Sequence, residues 1–249
     1  MTGSRDSDAS RVLFVHIMKT AGTTFMLHLR TVFAPEEIYP GKGLDWNDPD
    51  DVGSYVDLAR LAALPAARLD RVRLVAGHYP YSARHLLPGD VQTVTILREP
   101  VARTVSLLKH FKRLHPPSHD RTLRQIYEDP DRFVGFIENH QTRVFAIEPA
   151  DRVRTVREPI ALDEQRFATA LANLHATDVL GITERYEDFV EGLRTRLGWW
   201  PDGVPPVPRA NVAEESWAID DGLIERIVAD NRWDVALYEE AVRIVEAGA

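Results

Sequence analysis

A run of buried-type residues that stops at a cationic, hydroxyl-rich turn sets the frame for the whole chain. Between Arg11 and Thr24 the sequence reads RVLFVHI, then MKTAGTT, and a helical pattern begins at Phe25. Val12, Leu13, Phe14, Val15 and Ile17 are β-branched, aromatic or aliphatic, so positions 11–17 read as a strand covered on both faces. Phe25, Met26, Leu29, Val32 and Phe33 then recur at helical spacing. A strand, a short glycine-containing turn and a helix start form an anion site in general. The turn aims backbone N–H groups inward, and the helix N-terminus adds about half a positive charge. Lys19 adds a full charge, and Thr23 and Thr24 add hydroxyls. An ordinary strand–helix turn carrying a surface lysine is the alternative.

The turn is not the common nucleotide loop, G-x-x-x-x-G-K-[ST], in which the lysine follows the second glycine. Here Lys19 precedes Gly22. The Gly41-Lys42 pair is followed by another glycine and falls in a polar stretch. This weakens an ATP or GTP reading but leaves phosphate-type binding in place.

Strands and helical segments alternate along the rest of the chain. Residues 34–54, rich in Pro, Gly and Asp, read as an irregular loop. Tyr55–Ala63 reads as a short helix, Val72–Ala76 as the second strand and Ser82–Leu87 as a helical turn. Val91–Leu97 is the third strand. Pro100 then opens a helix that runs to about His115, since a proline costs nothing in a first turn. Two short helices span 122–140, and a longer one spans Asp163–His175. Val179–Thr183 is the fourth strand and Tyr186–Leu197 a helix. A Pro-rich loop covers Trp199–Pro208, and helices close the chain. This alternation predicts an α/β fold: a single domain over 11–249, with a central, mainly parallel sheet flanked by helices. Residues 1–10 are expected to form a disordered tail. In such sheets ligands bind beyond the carboxyl ends of the strands. Lys19–Thr24, His78 and Arg98 each close a strand, so all are expected on one rim.

Of the 249 residues, 44% are hydrophobic, enough for a sizeable core. The net charge of −8 argues against nucleic acid or an anionic membrane as partner, so any anionic ligand must be held by local positive charge. The absence of cysteine excludes disulfides, thiolate metal sites and a cysteine nucleophile. No run has the length of a membrane span, and the polar N-terminus lacks a signal-peptide core, so a soluble cytoplasmic protein is expected. No metal-ligand set stands out in the acidic stretch Asp45–Asp51.

Several single residues carry chemistry. Arg98 follows a strand, and Ser106 lies two turns along the next helix, a pairing that suits a second anionic group; an ion pair between Arg98 and Glu99 is the alternative. His78, between Gly77 and Tyr79, is placed to take a proton from a hydroxyl, or else to hydrogen-bond within its loop. Lys109, His110, Lys112, Arg113 and His115 form a basic run, read as a solvated helix face ahead of an acceptor groove. Core packing is expected for Trp199 and Trp233; Trp200 and Trp217 also flank the Pro-rich loop.

In order, these segments resemble a known family. FVHIMKTAGTT resembles the 5′-phosphosulfate loop of sulfotransferases that use 3′-phosphoadenosine 5′-phosphosulfate (PAPS). It is closest in form to the carbohydrate group that includes heparan sulfate 2-O-sulfotransferase, whose loop reads H-x-P-K-T-G-G-T. TILREPVARTVSLL resembles that group's 3′-phosphate segment, L-R-D-P-x-x-R-x-x-S. AGHYPY resembles its G-H-x-P segment, ENHQTRVFA its N-x-Q-T-R segment, and VLGITERYEDFVEGLRTRLGW and DNRWDVALYEEA its closing segments. The resemblance implies a P-loop-like sulfotransferase fold and transfer of a sulfuryl group from PAPS to a hydroxyl of a carbohydrate or other small molecule, with 3′,5′-ADP as product. It implies Lys19 and His78 as catalytic residues. Thr20, Ala21, Gly22, Thr23 and Thr24, with Lys19, would hold the 5′-phosphate, Arg98 and Ser106 the 3′-phosphate, and Arg209 the late cofactor-covering loop. No metal is implied. Met18 and Ala21 replace the proline and one glycine of the loop, and Ala21 fits only where its backbone avoids positive φ. A small-molecule kinase and a PAPS-binding module without catalysis are the rival readings.

Overall fold

The computed structural model describes residues 11–41, 49–208, 217 and 219–248. The expected tail (1–10), Lys42 and Arg209 lie outside the described residues. Among those described, β1 (Arg11–Val15), β2 (Ile38–Tyr39), β3 (Leu74–Gly77), β4 (Val91–Leu97) and β5 (Val179–Ile182) form one sheet in the order β2-β3-β1-β4-β5. Every pairing is parallel.

The first helices are α1 (Gly22–Val32), α2 (Pro49–Val56), α3 (Leu58–Ala62), α4 (Ala66–Leu69) and α5 (Pro100–Leu114). Next come α6 (Leu123–Tyr127), α7 (Pro130–Arg132), α8 (His140–Ala146) and α9 (Glu164–His175). The last are α10 (Tyr186–Leu197), α11 (Asp221–Asp230) and α12 (Arg232–Ala247). None of the described helices is long and apolar enough to cross a membrane.

β1 is central because both its faces are apolar. Val12 and Phe14 pack with Phe25 and Leu29 of α1 and Phe189, Val190 and Leu193 of α10. Leu13 and Val15 point the other way, into a core with Val144 and Phe145 of α8, Ala170 and Leu174 of α9, and Leu237 and Ala241 of α12. Successive residues of a strand face opposite sides, so one apolar run feeds two helical layers. A third cluster joins α5, α6 and α11 through Leu107, Leu108, Ile126, Leu223 and Ile227.

Four expectations change at element ends. The first strand stops at Val15, so His16 and Ile17 belong to the turn. Ile38–Tyr39 pairs with Leu74–Val75 although the surrounding stretch reads as loop; two residues are too few to show a period. The helix expected over 55–63 is two helices, with Asp57 between them accepting from the amide of Ala59 at 2.8 Å. Between 122 and 140, α6 and α7 run into a π-helical turn (Phe133–Ile137), and α8 starts at His140.

The chain runs from β1 out to β2 and β3 on one side, then crosses to β4 and β5 on the other. Open α/β sheets take their ligands beyond the strand tips at such a reversal, here those of β3, β1 and β4. In register, Val15 stands beside Gly77 and Thr95.

A reciprocal lock ties the C-terminal helix to this rim. Asn139, left-handed at φ 44°, precedes α8, and its amide donates to Asn231 Oδ1 at 2.8 Å. Asn139 Oδ1 in turn accepts from the amides of Trp233 and Asp234. Asp234 closes the circle, accepting from the amides of Gln141 (3.1 Å) and Thr142 (2.7 Å). The first turns of α8 and α12 thus satisfy each other's exposed amides. Asp234→Ala leaves two buried amides unpaired and is expected to cost about 2–4 kcal/mol in urea unfolding.

Candidate active site

Six residues turn the chain from β1 into α1. Thr20 Oγ1 donates to the carbonyl of Ile17 at 2.9 Å, so this buried hydroxyl shapes the loop. Lys19 and Ala21 both take left-handed backbone, at φ 70° and 67°. The condition under which Ala21 would fit the resembled loop, a backbone that avoids positive φ, is therefore not met. The reversal from strand to helix happens within a few residues, and the loop is held by its carbonyls from outside. Gly22 follows for a steric reason: a Cβ there would sit 2.1 Å from the His16 ring.

α1 starts without a side-chain cap and without an acidic residue in its first turn. Its first internal bond runs from the amide of Phe25 to Ala21 O at 3.1 Å. The amides of Gly22 and Thr23 therefore have no acceptor within the helix. Thr23 is exposed and Thr24 buried.

Two arginines grip the loop from the β4 side. Arg98 Nη1 donates to Lys19 O at 3.2 Å, and Arg103 Nε donates to Met18 O at 3.2 Å. Arg98 does not pair with Glu99, whose carboxylate instead caps α5 on the amides of Val101 and Ala102. Gln141 clasps the backbone of Arg98 from both sides, accepting from its amide at 3.0 Å and donating to its carbonyl at 2.9 Å. Arg103 is fully buried, and its Nη2 reaches Phe136 O at 2.7 Å. Arg98 Nε and Arg103 Nη1 are buried without a hydrogen-bond partner among the described residues.

The result is a concentration of positive charge at the loop, offset at Arg103 by the Asp234 carboxyl. Burial, and then the charges of Arg113, Arg98 and Arg103, pull Lys19 from the usual 10.5 to about 8. Burial takes His110, also beside Lys19 and Arg113, down to about 4. Arg103, Ser106, His110 and Arg113 fall on one face of α5 by helical spacing, which puts Ser106 between groups that face the loop. The basic run is therefore not one solvated face. His110 and Arg113 look toward Lys19, whereas Lys112 bonds the carbonyls of His119 and Arg121 over the ring of Trp217.

His78 sits across β1 from Arg98. Its Nδ1 lies 2.7 Å from the carbonyl of His16, and the two rings are 4.5 Å apart. A carbonyl only accepts, so Nδ1 carries the proton and Nε2 keeps a lone pair. Nε2 has no hydrogen-bond partner among the described residues. Burial, against the His16 carbonyl, and then the charge of Arg157 bring His78 to about 4. Its ring is neutral at pH 7, and the Nε2 lone pair meets no partner among the described residues.

Neither a protein-family model nor a curated protein matches this sequence. The site therefore rests on its own geometry. Lys19, His78 and Arg98, expected on one rim, are brought together there. Trp199 packs on Phe33 at 5.5 Å, and Trp200 bonds Thr31 through its indole N–H at 2.8 Å, so both serve the core. Trp233 packs on Phe167 at 4.8 Å.

Residue-type reasoning passed over His16, which floors the loop, and over Arg103, and it read Arg113 only as part of a basic run. His16 stands at the histidine of the H-x-P-K form, and Arg103 at the second arginine of the 3′-phosphate segment, so both had a signal in the motifs.

Ala21→Gly should relieve the left-handed strain and raise stability by on the order of 0.5–1 kcal/mol, while Gly22→Ala should lower it through the His16 contact; urea unfolding measures both. Between pH 8 and 10.5 folded Lys19 binds fewer protons than the unfolded chain, so its contribution to stability rises with pH across that window. Lys19→Met should stabilise the protein at pH 7 and flatten that rise, read by unfolding at a series of pH values.

Proposed function

We propose that this chain is a sulfotransferase that moves a sulfuryl group from PAPS to an acceptor hydroxyl. One observation carries the reading. An uncapped helix start, Lys19 and Arg98 gather on one side of the β1 tip, and a neutral histidine with a free lone pair faces the other. Buried guanidinium nitrogens on Arg98 and Arg103, unpartnered among the described residues, fit a ligand rich in oxyanions. The order of the motifs along the chain supports PAPS over other phosphates.

When bound, PAPS would supply an activated sulfuryl group and a stable leaving 3′,5′-bisphosphate. The chain's own residues do the rest by position and charge. The loop amides from Thr20 to Thr24 hold the 5′-phosphate, and Thr20 keeps its hydroxyl for the turn. Lys19 offsets the negative charge that builds on the leaving side. Arg98, fixed by Gln141, and Ser106 hold the 3′-phosphate. Nε2 of His78 takes the acceptor proton, and Nδ1 stays anchored on the His16 carbonyl.

Thermal unfolding with 3′,5′-ADP tests the nucleotide half, since a ligand that binds only the folded state raises the midpoint. A rise without Mg²⁺, lost in Arg98→Ala and Ser106→Ala, is expected. A response to Mg-ATP alone would favour a kinase instead. For the chemical half, His78→Ala should cut transfer from labelled PAPS by about 10²–10⁴, with 3′,5′-ADP affinity kept. Lys19→Ala should lose turnover as well. Near wild-type rates in both variants would overturn the mechanism, and nucleotide binding with no transfer to a broad acceptor panel would leave a binding module.

A further inference from the structure

We propose that the last helix tunes the nucleotide site: Glu184 and Tyr238, together with Asp234, are positioning residues that aim Arg98 at the 3′-phosphate of the donor. This rests on the sulfotransferase reading, in which Arg98 and Ser106 hold that phosphate. The ladder of β4 ends at Leu97, opposite Ile182 of β5. Past it, the backbone of Arg98 and the amide of Glu99 are held by side chains. The guanidinium of Arg98 is anchored through Nη1 on Lys19 O at 3.2 Å, and its Nε is buried without a hydrogen-bond partner among the described residues. Where that fork can meet a ligand is therefore set by where the backbone behind it is fixed.

Two struts reach this backbone from α12. In the first, Asp234 accepts from the amides of Gln141 and Thr142, and Gln141 clasps the amide and carbonyl of Arg98. In the second, Tyr238 donates its hydroxyl to Glu184 Oε2 at 2.9 Å, and Glu184 Oε1 accepts from the amide of Glu99 at 3.3 Å. Tyr238 stands one helical turn beyond Asp234, so both struts leave the same face of α12. Glu184 lies in the turn Thr183–Arg185, just past the tip of β5. The second strut thus joins the ends of β4 and β5 to the last helix. Glu99 is also the cap of α5, its carboxylate accepting from the amides of Val101 and Ala102. Holding its amide fixes the start of the helix that carries Ser106. Both groups assigned to the 3′-phosphate are therefore placed through α12, whereas Thr20 on the carbonyl of Ile17 shapes the loop assigned to the 5′-phosphate from within. A planar guanidinium bonds phosphate oxygens well only when aligned with them, so a loosened backbone weakens the 3′-phosphate contact first.

Calorimetry on the full chain with 3′,5′-ADP and with 5′-AMP, which lacks the 3′-phosphate, tests the struts. The readout is the ratio of the two affinities, with urea unfolding followed alongside. Wild type should prefer 3′,5′-ADP. Glu184→Ala should weaken 3′,5′-ADP on the order of tenfold, as expected for misalignment at one charge-assisted contact, and leave 5′-AMP unchanged. Tyr238→Phe keeps the ring against the core, removes only the hydroxyl, and should narrow the ratio in the same direction by less. The double variant should lose no more than Glu184→Ala, since Tyr238 acts through Glu184. A ratio unchanged in the single variants, or an equal loss for both nucleotides, would overturn the assignment, the second by marking a purely structural role. Should Glu184→Ala fail to fold, Tyr238→Phe decides by the same criteria. Wild type that binds neither nucleotide, or both alike, would overturn the sulfotransferase reading itself, which is a distinguishable failure.

Discussion

Two guanidinium groups hold the β1–α1 loop by its carbonyl oxygens, Arg98 on Lys19 and Arg103 on Met18. A carbonyl satisfies a donor but does not cancel its charge. The contact that shapes the loop therefore leaves two full positive charges beside Lys19. Burial first, and then the charges of Arg113, Arg98 and Arg103, hold Lys19 below its ordinary range. An anion in the loop is the partner that removes the repulsion.

Elsewhere the arginines behave differently. Arg121 pairs with Asp129, Arg124 with Asp220, Arg166 with Asp151, and Arg226 with Glu128. These pairs lie toward the surface, where an ion pair contributes little but costs little. At the strand tips, Arg98, Arg103 and Arg143 bond backbone carbonyls instead. Asp234, buried in the same network, accepts from two amides and also bears on Arg103 and Arg143, and burial pushes its carboxyl up. An acidic chain thus keeps a local excess of positive charge by spending its carboxylates on amides or away from the rim. Steering of an anion toward such a site is short in range at physiological salt, on the order of 8 Å. Recognition has to be finished by the fixed groups themselves.

What could be read from the residues follows how local each signal is. β4 and α10 fall where the apolar periods place them, at Val91–Leu97 and Tyr186–Leu197. Pro100 opens α5 as its missing N–H requires. The rim of Lys19, His78 and Arg98 was legible because parallel α/β topology brings strand ends together whatever the side chains are. The conformation of Ala21 was not legible. It is set by bonds to Lys19 and Met18 from residues about 80 positions away, and no local preference of alanine predicts left-handed backbone. β2 escaped notice because Ile38 and Tyr39 pair only through β3. The basic run split between rim and loop because helical phase, not composition, decides which of its members turn inward.

The segments around Asn139 and Asn231 show the same limit from the other end. Each reads alone as a polar helix start. Together they cap one another across more than 90 residues, and Gln141, in the first turn so fixed, clasps the backbone of Arg98. The position of a residue at the tip of β4 is therefore finished by the last helix of the chain. Loop closure over that distance is entropically unfavourable until the helices that make it have packed. The rim should then be among the last parts of the molecule to order. Its final geometry depends on the docking of α12 rather than on any preference within the loop.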